Sequence, residues 1–143
     1  MKIINAVEVE EKWYDISMLS ANPKKLYVFG DNTIRAGRGG QASIRDCFNA
    51  IGVATKRLPS LGESSYYNDS ESDYKAITND LFNLSKVISS PEYQDWTIVF
   101  PKDGLGTGLA EMPQRSPFLF DVMSKYLKQY FGIITNDDGT LSI

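Results

Sequence analysis

Residues Leu26 to Asp46 read LYVFGDNTIRAGRGGQASIRD. Leu26, Tyr27, Val28 and Phe29 form a short apolar run between Lys25 and Gly30, the pattern of a buried strand. Both of its faces are apolar, which predicts a central place in a sheet. Four glycines follow, Gly30, Gly37, Gly39 and Gly40, and the stretch then turns into a predicted short helix over 41–49. That helix would carry Ala42, Arg45 and Phe48 on one face and stop at Gly52. A strand, a glycine loop and a helix start make an anion site. Glycine lets the backbone approach a phosphate, and the first helical N–H groups point at it. A glycine-rich loop by itself is a weak signal, and a tight surface turn is the plain alternative.

A second unit of the same kind lies further on. Trp96 to Phe100 (WTIVF) is an apolar strand, and it runs into Pro101-Lys102-Asp103-Gly104-Leu105-Gly106-Thr107-Gly108-Leu109. Between and around the two units, strand and helix patterns alternate. Ile3, Ile4, Val7 and Val9 alternate as in a strand, and a short helix near Ile16 to Leu19 ends before Asn22-Pro23. Val53 to Leu58 reads as a brief strand ending at Pro59, and Ser60 to Ser72 as a polar loop. In that loop Tyr66 and Tyr67 either stack on a base or ribose, or divide with one ring in the core and one exposed. Ser70 and Asp73 resemble a capping box before a helix whose buried face is Tyr74, Ile77, Leu81, Leu84 and Ile88. A last helix has Ser116 at its N-cap and Pro117 at its first position, and it stops near Gly132. Asn136-Asp137-Asp138-Gly139 is a hairpin turn.

This alternation predicts one α/β domain over residues 1–143, with a mixed or mostly parallel sheet flanked by helices. Ligands of such sheets bind outside the carboxyl ends of the strands. If the two apolar strands are neighbours, both glycine loops face one crevice, and Val28 and Val99 are buried in adjacent central strands.

Composition narrows the chemistry. The formal net charge is -3, which disfavours a general nucleic-acid binder. Arg35, Arg38, Arg45, Lys56 and Arg57 nevertheless cluster in one half of the chain, and they suit a small phosphorylated ligand. There is no histidine, which removes imidazole catalysis and His-based metal sites. The single cysteine, Cys47, leaves neither an internal disulfide nor a structural zinc site, so no metal and no cofactor is expected. No apolar run approaches the roughly 20 residues of a membrane span. Met1 to Glu10 turns acidic within a few residues, unlike a secretory signal, so a cytoplasmic protein with no membrane partner is expected.

Neither a P-loop nor the Rossmann Gly-x-Gly-x-x-Gly spacing is present. The pairing of YVFGDN and GRGGQASI with the later FPKDGLGTGL resembles the two ligand loops of macro domains, which bind ADP-ribose. The resemblance implies a macro-like fold and a nucleotide such as ADP-ribose as the partner. It implies Asn32 near the distal ribose, with Gly37, Gly39, Gly40 and Gln41 along the pyrophosphate and distal ribose. It implies Gly104, Leu105, Gly106, Thr107, Gly108 and Leu109 as the second phosphate loop. The macro-type Asn-Ala-Ala-Asn is replaced here by Gly30-Asp31-Asn32, and Ala110 stands where some macro-type hydrolases carry an aspartate. The whole chain is also similar to small uncharacterised proteins of tailed bacteriophages, for which the compartment would be the host cytoplasm.

Hydrolysis at a ribose anomeric carbon without histidine needs a carboxylate, either to activate water or to stabilise an oxocarbenium-like state. Asp31, directly after the first strand, and Asp103, opening the second loop, are the leading pair, with Asn32 beside them. Each aspartate is equally at home as a turn or cap residue. Lys102 would pair with a phosphate or hold Asp103 ionised, and Arg45 would reach the ligand or a neighbouring strand. The readings are thus an ADP-ribosyl hydrolase or ADP-ribose phosphatase, a non-catalytic binder that sequesters a nucleotide signal, and an interaction protein without a ligand.

Overall fold

The computed structural model describes residues 3–143. Four strands, β1 (Val7–Glu10), β2 (Lys25–Asn32), β3 (Ala50–Lys56) and β4 (Thr97–Pro101), form a wholly parallel sheet in the order β1-β4-β2-β3. Tyr27 of β2 is in register with Val99 of β4, so the two apolar strands are neighbours at the centre of the sheet. A separate pair, β5 (Ile134–Thr135) and β6 (Leu141–Ser142), closes antiparallel around the Asn136–Gly139 turn.

Period-two alternation along the central strands sorts their side chains onto two cores. Leu26, Val28, Ile98 and Phe100 pack with Ile77, Leu81, Leu84 and Ile88 of α2 (Glu71–Ile88) and with Leu119 and Met123 of α4 (Pro117–Tyr126). Tyr27, Phe29 and Val99 pack on the opposite face with Tyr14, with Leu19 of α1 (Ile16–Ala21), and with Ala42 and Ile44. The connection leaving β2 therefore runs over one face, while the chain leaving β4 passes through α3 (Met112–Arg115) to α4 on the other.

Several local expectations are corrected. The predicted helix over 41–49 is a five-residue 3-10 turn, Gly40–Ile44. Ala42 is buried on it, but Phe48 is exposed and Arg45 faces back toward β2. Gly52 is no helix stop; it lies inside β3. Strand β2 runs past Phe29 to Asn32, with a bulge between Asp31 and Asn32, so Asp31 belongs to the strand rather than to a turn. Helix α2 starts at the predicted capping residue, with Ser70 Oγ accepting from the Asp73 N–H, but Tyr74 is exposed and Asp73 is buried in its stead. Ser116 makes no side-chain cap for α4. That role falls to Asp69, whose carboxylate accepts from the N–H groups of Phe118 and Leu119 across the loop. Tyr66 and Tyr67 are both buried, at 5% and 1% exposure, so the expected division into one core and one exposed ring does not hold.

Val99 exposes 1% of its surface in the central strand β4, between β1 and β2. Val99→Asp buries a carboxylate with no partner there and is expected to cost several kcal/mol, on the order of the whole stability of a small domain at about 5–15 kcal/mol. Loss of the cooperative urea transition, followed by circular dichroism, is the expected result.

Candidate functional site

A cleft of about 460 Å³ opens where β2, β3 and β4 end. Its position follows from the topology, because the loops leaving neighbouring parallel strands toward opposite faces leave a crevice between them. Gly30, Asp31 and Asn32 line it from the end of β2, Gly37, Gly39, Gly40 and Gln41 from the first loop, and Asp103, Gly104, Gly106, Thr107, Gly108 and Leu109 from the second. The structure thus brings both glycine loops to one cavity.

One side chain joins the two loops. Gln41 Oε1 accepts from the Gly30 N–H at 2.8 Å, and its Nε2 donates to the Gly104 carbonyl at 3.0 Å. The pairing of β2 with β4 ends at Tyr27 and Val99, and on that side the Gln41 amide supplies hydrogen bonds that the strands no longer make to each other.

The loops differ in character. A Cβ built on Gly39 or Gly40 meets nothing within 4 Å. In the second loop, Gly104 and Gly106 have positive φ, and a Cβ there would strike the Gly139 carbonyl and the Met112 side chain respectively. The first loop is bare backbone facing open space, and the second is packed against the β5–β6 turn and α3.

Asp31 is held far more firmly than a mouth residue would be. Its side chain is 2% exposed. Arg45 donates to it through both terminal nitrogens, Nη1 to Oδ2 at 2.9 Å and Nη2 to Oδ1 at 2.6 Å. The Asn32 N–H donates to Oδ1 at 2.8 Å, and Arg35 Nη1 lies 3.6 Å from Oδ2. Bidentate guanidinium pairing of this kind is among the stronger side-chain interactions and fixes geometry as well as charge. Gly52 makes the space: a Cβ there would lie 2.8 Å from Asp31 Cβ and closer still to the carboxylate. Arg45 in turn donates Nε to the Gly37 carbonyl at 2.8 Å and Nη2 to that of Ala36 at 3.2 Å, so the ion pair shapes the first loop.

Other predicted residues fall elsewhere. Arg45 does not line the cleft; its guanidinium braces Asp31 behind it. Leu105 is a core residue at 1% exposure, and Lys102 stands outside the lining. Asn32 lines the cleft, but its side chain closes its own loop, with Nδ2 donating to the Ala36 carbonyl at 2.8 Å and Oδ1 accepting from the Ala36 N–H at 3.3 Å. Asp103 is exposed on the lining, and among the described residues its carboxylate has no ion-pair or hydrogen-bond partner. No group of three or more histidine, cysteine or acidic side chains placed to hold a metal occurs among the described residues.

Sequence reasoning missed Trp13, Ala36, Ala42, Thr55, Pro59 and Ala110 as lining residues, and it had Lys56 only as one of a basic cluster; all of them line the cleft. Thr55 and Lys56 end β3, and the rule that sites gather at the carboxyl ends of parallel strands was the signal for them. Trp13, 56% exposed, comes from the β1–α1 connection and carried no signal in the sequence.

The chain belongs to a family described as a family of unknown function, DUF7831, which matches residues 9–126. Comparison with curated proteins and with solved structures finds no match. No helix among the described residues is long and apolar enough to cross a membrane.

Arg45→Met removes one partner of a buried pair and leaves Asp31 uncompensated, which typically costs about 3–5 kcal/mol. With Arg35 still nearby, the lower end of that range is expected, read as a shift in the urea midpoint. Adding Asp31→Asn to Arg45→Met is expected to recover part of the loss, because the stranded charge is gone.

Proposed function

We propose that the cleft binds ADP-ribose or a related nucleotide, and that the chain is a macro-like domain. The observation that carries this reading is the junction of the two glycine loops at the carboxyl ends of adjacent parallel strands, clamped by Gln41. The first loop offers backbone with no side chain in the way, which suits the close approach of a pyrophosphate. A cavity of about 460 Å³ falls within the roughly 300–1,000 Å³ of small-molecule sites. Trp13 at the rim offers an aromatic face on which a base can stack.

Binding without turnover is the better supported form. Both Asp31 oxygens are engaged by Arg45, so this carboxylate positions the loop rather than accepting a proton. Ala110 brings no carboxylate to the cleft. A binder of this kind would sequester a nucleotide, a role that fits a phage protein acting against a host signal. The hydrolase form rests on Asp103, the unpartnered carboxylate on the lining.

Gly39 is the position from which to test the cleft. Its φ of -83° accepts any residue, whereas Gly40 at 58° would add left-handed strain to any substitution. Gly39→Val is expected to abolish stabilisation by ADP-ribose and leave the melting temperature of the free protein unchanged. The wild type should gain about 2.7 kcal/mol at a hundredfold excess over Kd. Undiminished binding by Gly39→Val removes the first loop from the site.

Turnover is tested separately, by chromatography of ADP-ribosylated peptide and ADP-ribose phosphate after incubation. If the wild type turns either over, Asp103→Asn should keep its affinity and lose about 10²–10⁴-fold in rate. A wild type that binds ADP-ribose and turns over neither substrate is the result expected of the sequestering binder.

A further inference from the structure

Lys56 is the cation that lines the cleft, and among the described residues no carboxylate neutralises it by direct pairing. It ends β3, lines the cavity, and exposes 8% of its surface. Its Nζ donates to the Ser60 carbonyl at 2.9 Å and lies 4.5 Å from the centre of the Tyr66 ring. Among the described residues no carboxylate forms an ion pair with it, while Arg45 is paired with Asp31, Arg35 with Asp80 and Arg57 with Asp73. Two charged groups act on it from further off. Glu111 favours the ammonium, but is itself tied to Arg115, whose Nε donates to it at 3.0 Å. Arg115, stacked 3.8 Å from the same Tyr66 ring, opposes the ammonium.

A carbonyl and a ring face compensate a buried ammonium only in part. Removing such a charge from water is costly unless a counter-charge meets it. Burial pulls the Lys56 pKa below the ordinary lysine value, with Glu111 pulling it up and Arg115 adding to the fall. An anionic ligand in the cleft would supply the missing counter-charge.

We propose that Lys56 is the anion-recognising residue of this cleft, its ammonium pairing with a phosphate oxygen of the ligand at the end of β3, so that the site selects phosphorylated nucleotides over free nucleosides. The inference rests on the nucleotide-cleft reading and names its charged contact. No bond is made or broken.

The experiment compares wild type with Lys56→Met and with Lys56→Gln, which can still donate to the Ser60 carbonyl. Thermal shift and calorimetry are run with ADP-ribose, inorganic pyrophosphate and adenosine. Removal of the charge is expected to weaken ADP-ribose about 10- to 100-fold, the usual size of a charge-assisted hydrogen bond. Adenosine should be unaffected, and the ligand-free variants should melt no lower than wild type. Stabilisation of the wild type by pyrophosphate but not ADP-ribose, lost in Lys56→Met, upholds Lys56 and ends the ADP-ribose reading. Equal ADP-ribose affinity in wild type and both variants overturns the role of Lys56 and leaves the cleft standing. Failure of both variants to fold makes Lys56 a structural prop and overturns the proposal, as does a wild type that neither anion stabilises.

Discussion

Asp31 and Arg45 form the buried ion pair on which the cleft depends. A carboxylate at 2% side-chain exposure is tolerable only when its oxygens are met, and here they are met by a bidentate guanidinium and the Asn32 N–H. The pair does more than neutralise a charge. Arg45 carries the constraint outward to the Gly37 and Ala36 carbonyls, so a loop with little packing of its own takes a defined course. Arg35 extends the network to Asp80 on α2, which also accepts from the Ala54 N–H at 2.7 Å. The end of β2, the first loop, β3 and α2 are thereby tied through polar contacts, on the side of the sheet where apolar packing runs out.

Given that anchor, the two glycine loops divide the work. Gly104 and Gly106 are required by what presses against them, so the second loop is a fixed wall. Gly39, Gly40 and Gly108 have nothing within reach of a Cβ, so their lack of a side chain keeps space open rather than admitting a neighbour. Gln41 joins the open loop to the wall through its single amide. Under the nucleotide-binding proposal, a cleft held in this way before a ligand arrives would lose less entropy on binding.

The cations around the cleft follow the same logic of pairing. Arginines at positions 35, 38, 45 and 57 were grouped with Lys56 as a basic cluster in the sequence, yet each arginine has an aspartate of its own. What looks like a patch of positive charge along the chain is, among the described residues, a set of closed pairs with one lysine left over. Counting charges in a window does not reveal this, because the main partners of Arg35, Arg45 and Arg57 lie at least 14 residues away, and only the exposed Arg38–Asp46 pair, eight residues apart, and the looser contact of Arg35 with Asp31 are local.

Much of the architecture was legible in the chain itself. Unbroken apolar runs in Leu26–Phe29 and in the Ile98–Phe100 part of the Trp96–Phe100 stretch marked strands buried on both faces, and Ile77, Leu81, Leu84 and Ile88 marked one buried stripe of α2. These are local periodicities, set by the geometry of strand and helix, and tertiary contacts had no reason to override them. The Ser70 cap was legible for the same reason. Three of the misreadings are places where a distant group intervened. Gly52 resembles a helix stop until Asp31 is seen to occupy its side-chain space, and Ser116 resembles a cap until Asp69 reaches α4 from 47 residues upstream of it. Arg45 reads as a ligand contact until its partner is found across the sheet edge. Spacing along the chain carries strands, helices and the two glycine loops; which loop stays open, which charge is closed and which lysine remains depends on contacts between residues far apart in sequence, and folding alone brings those together.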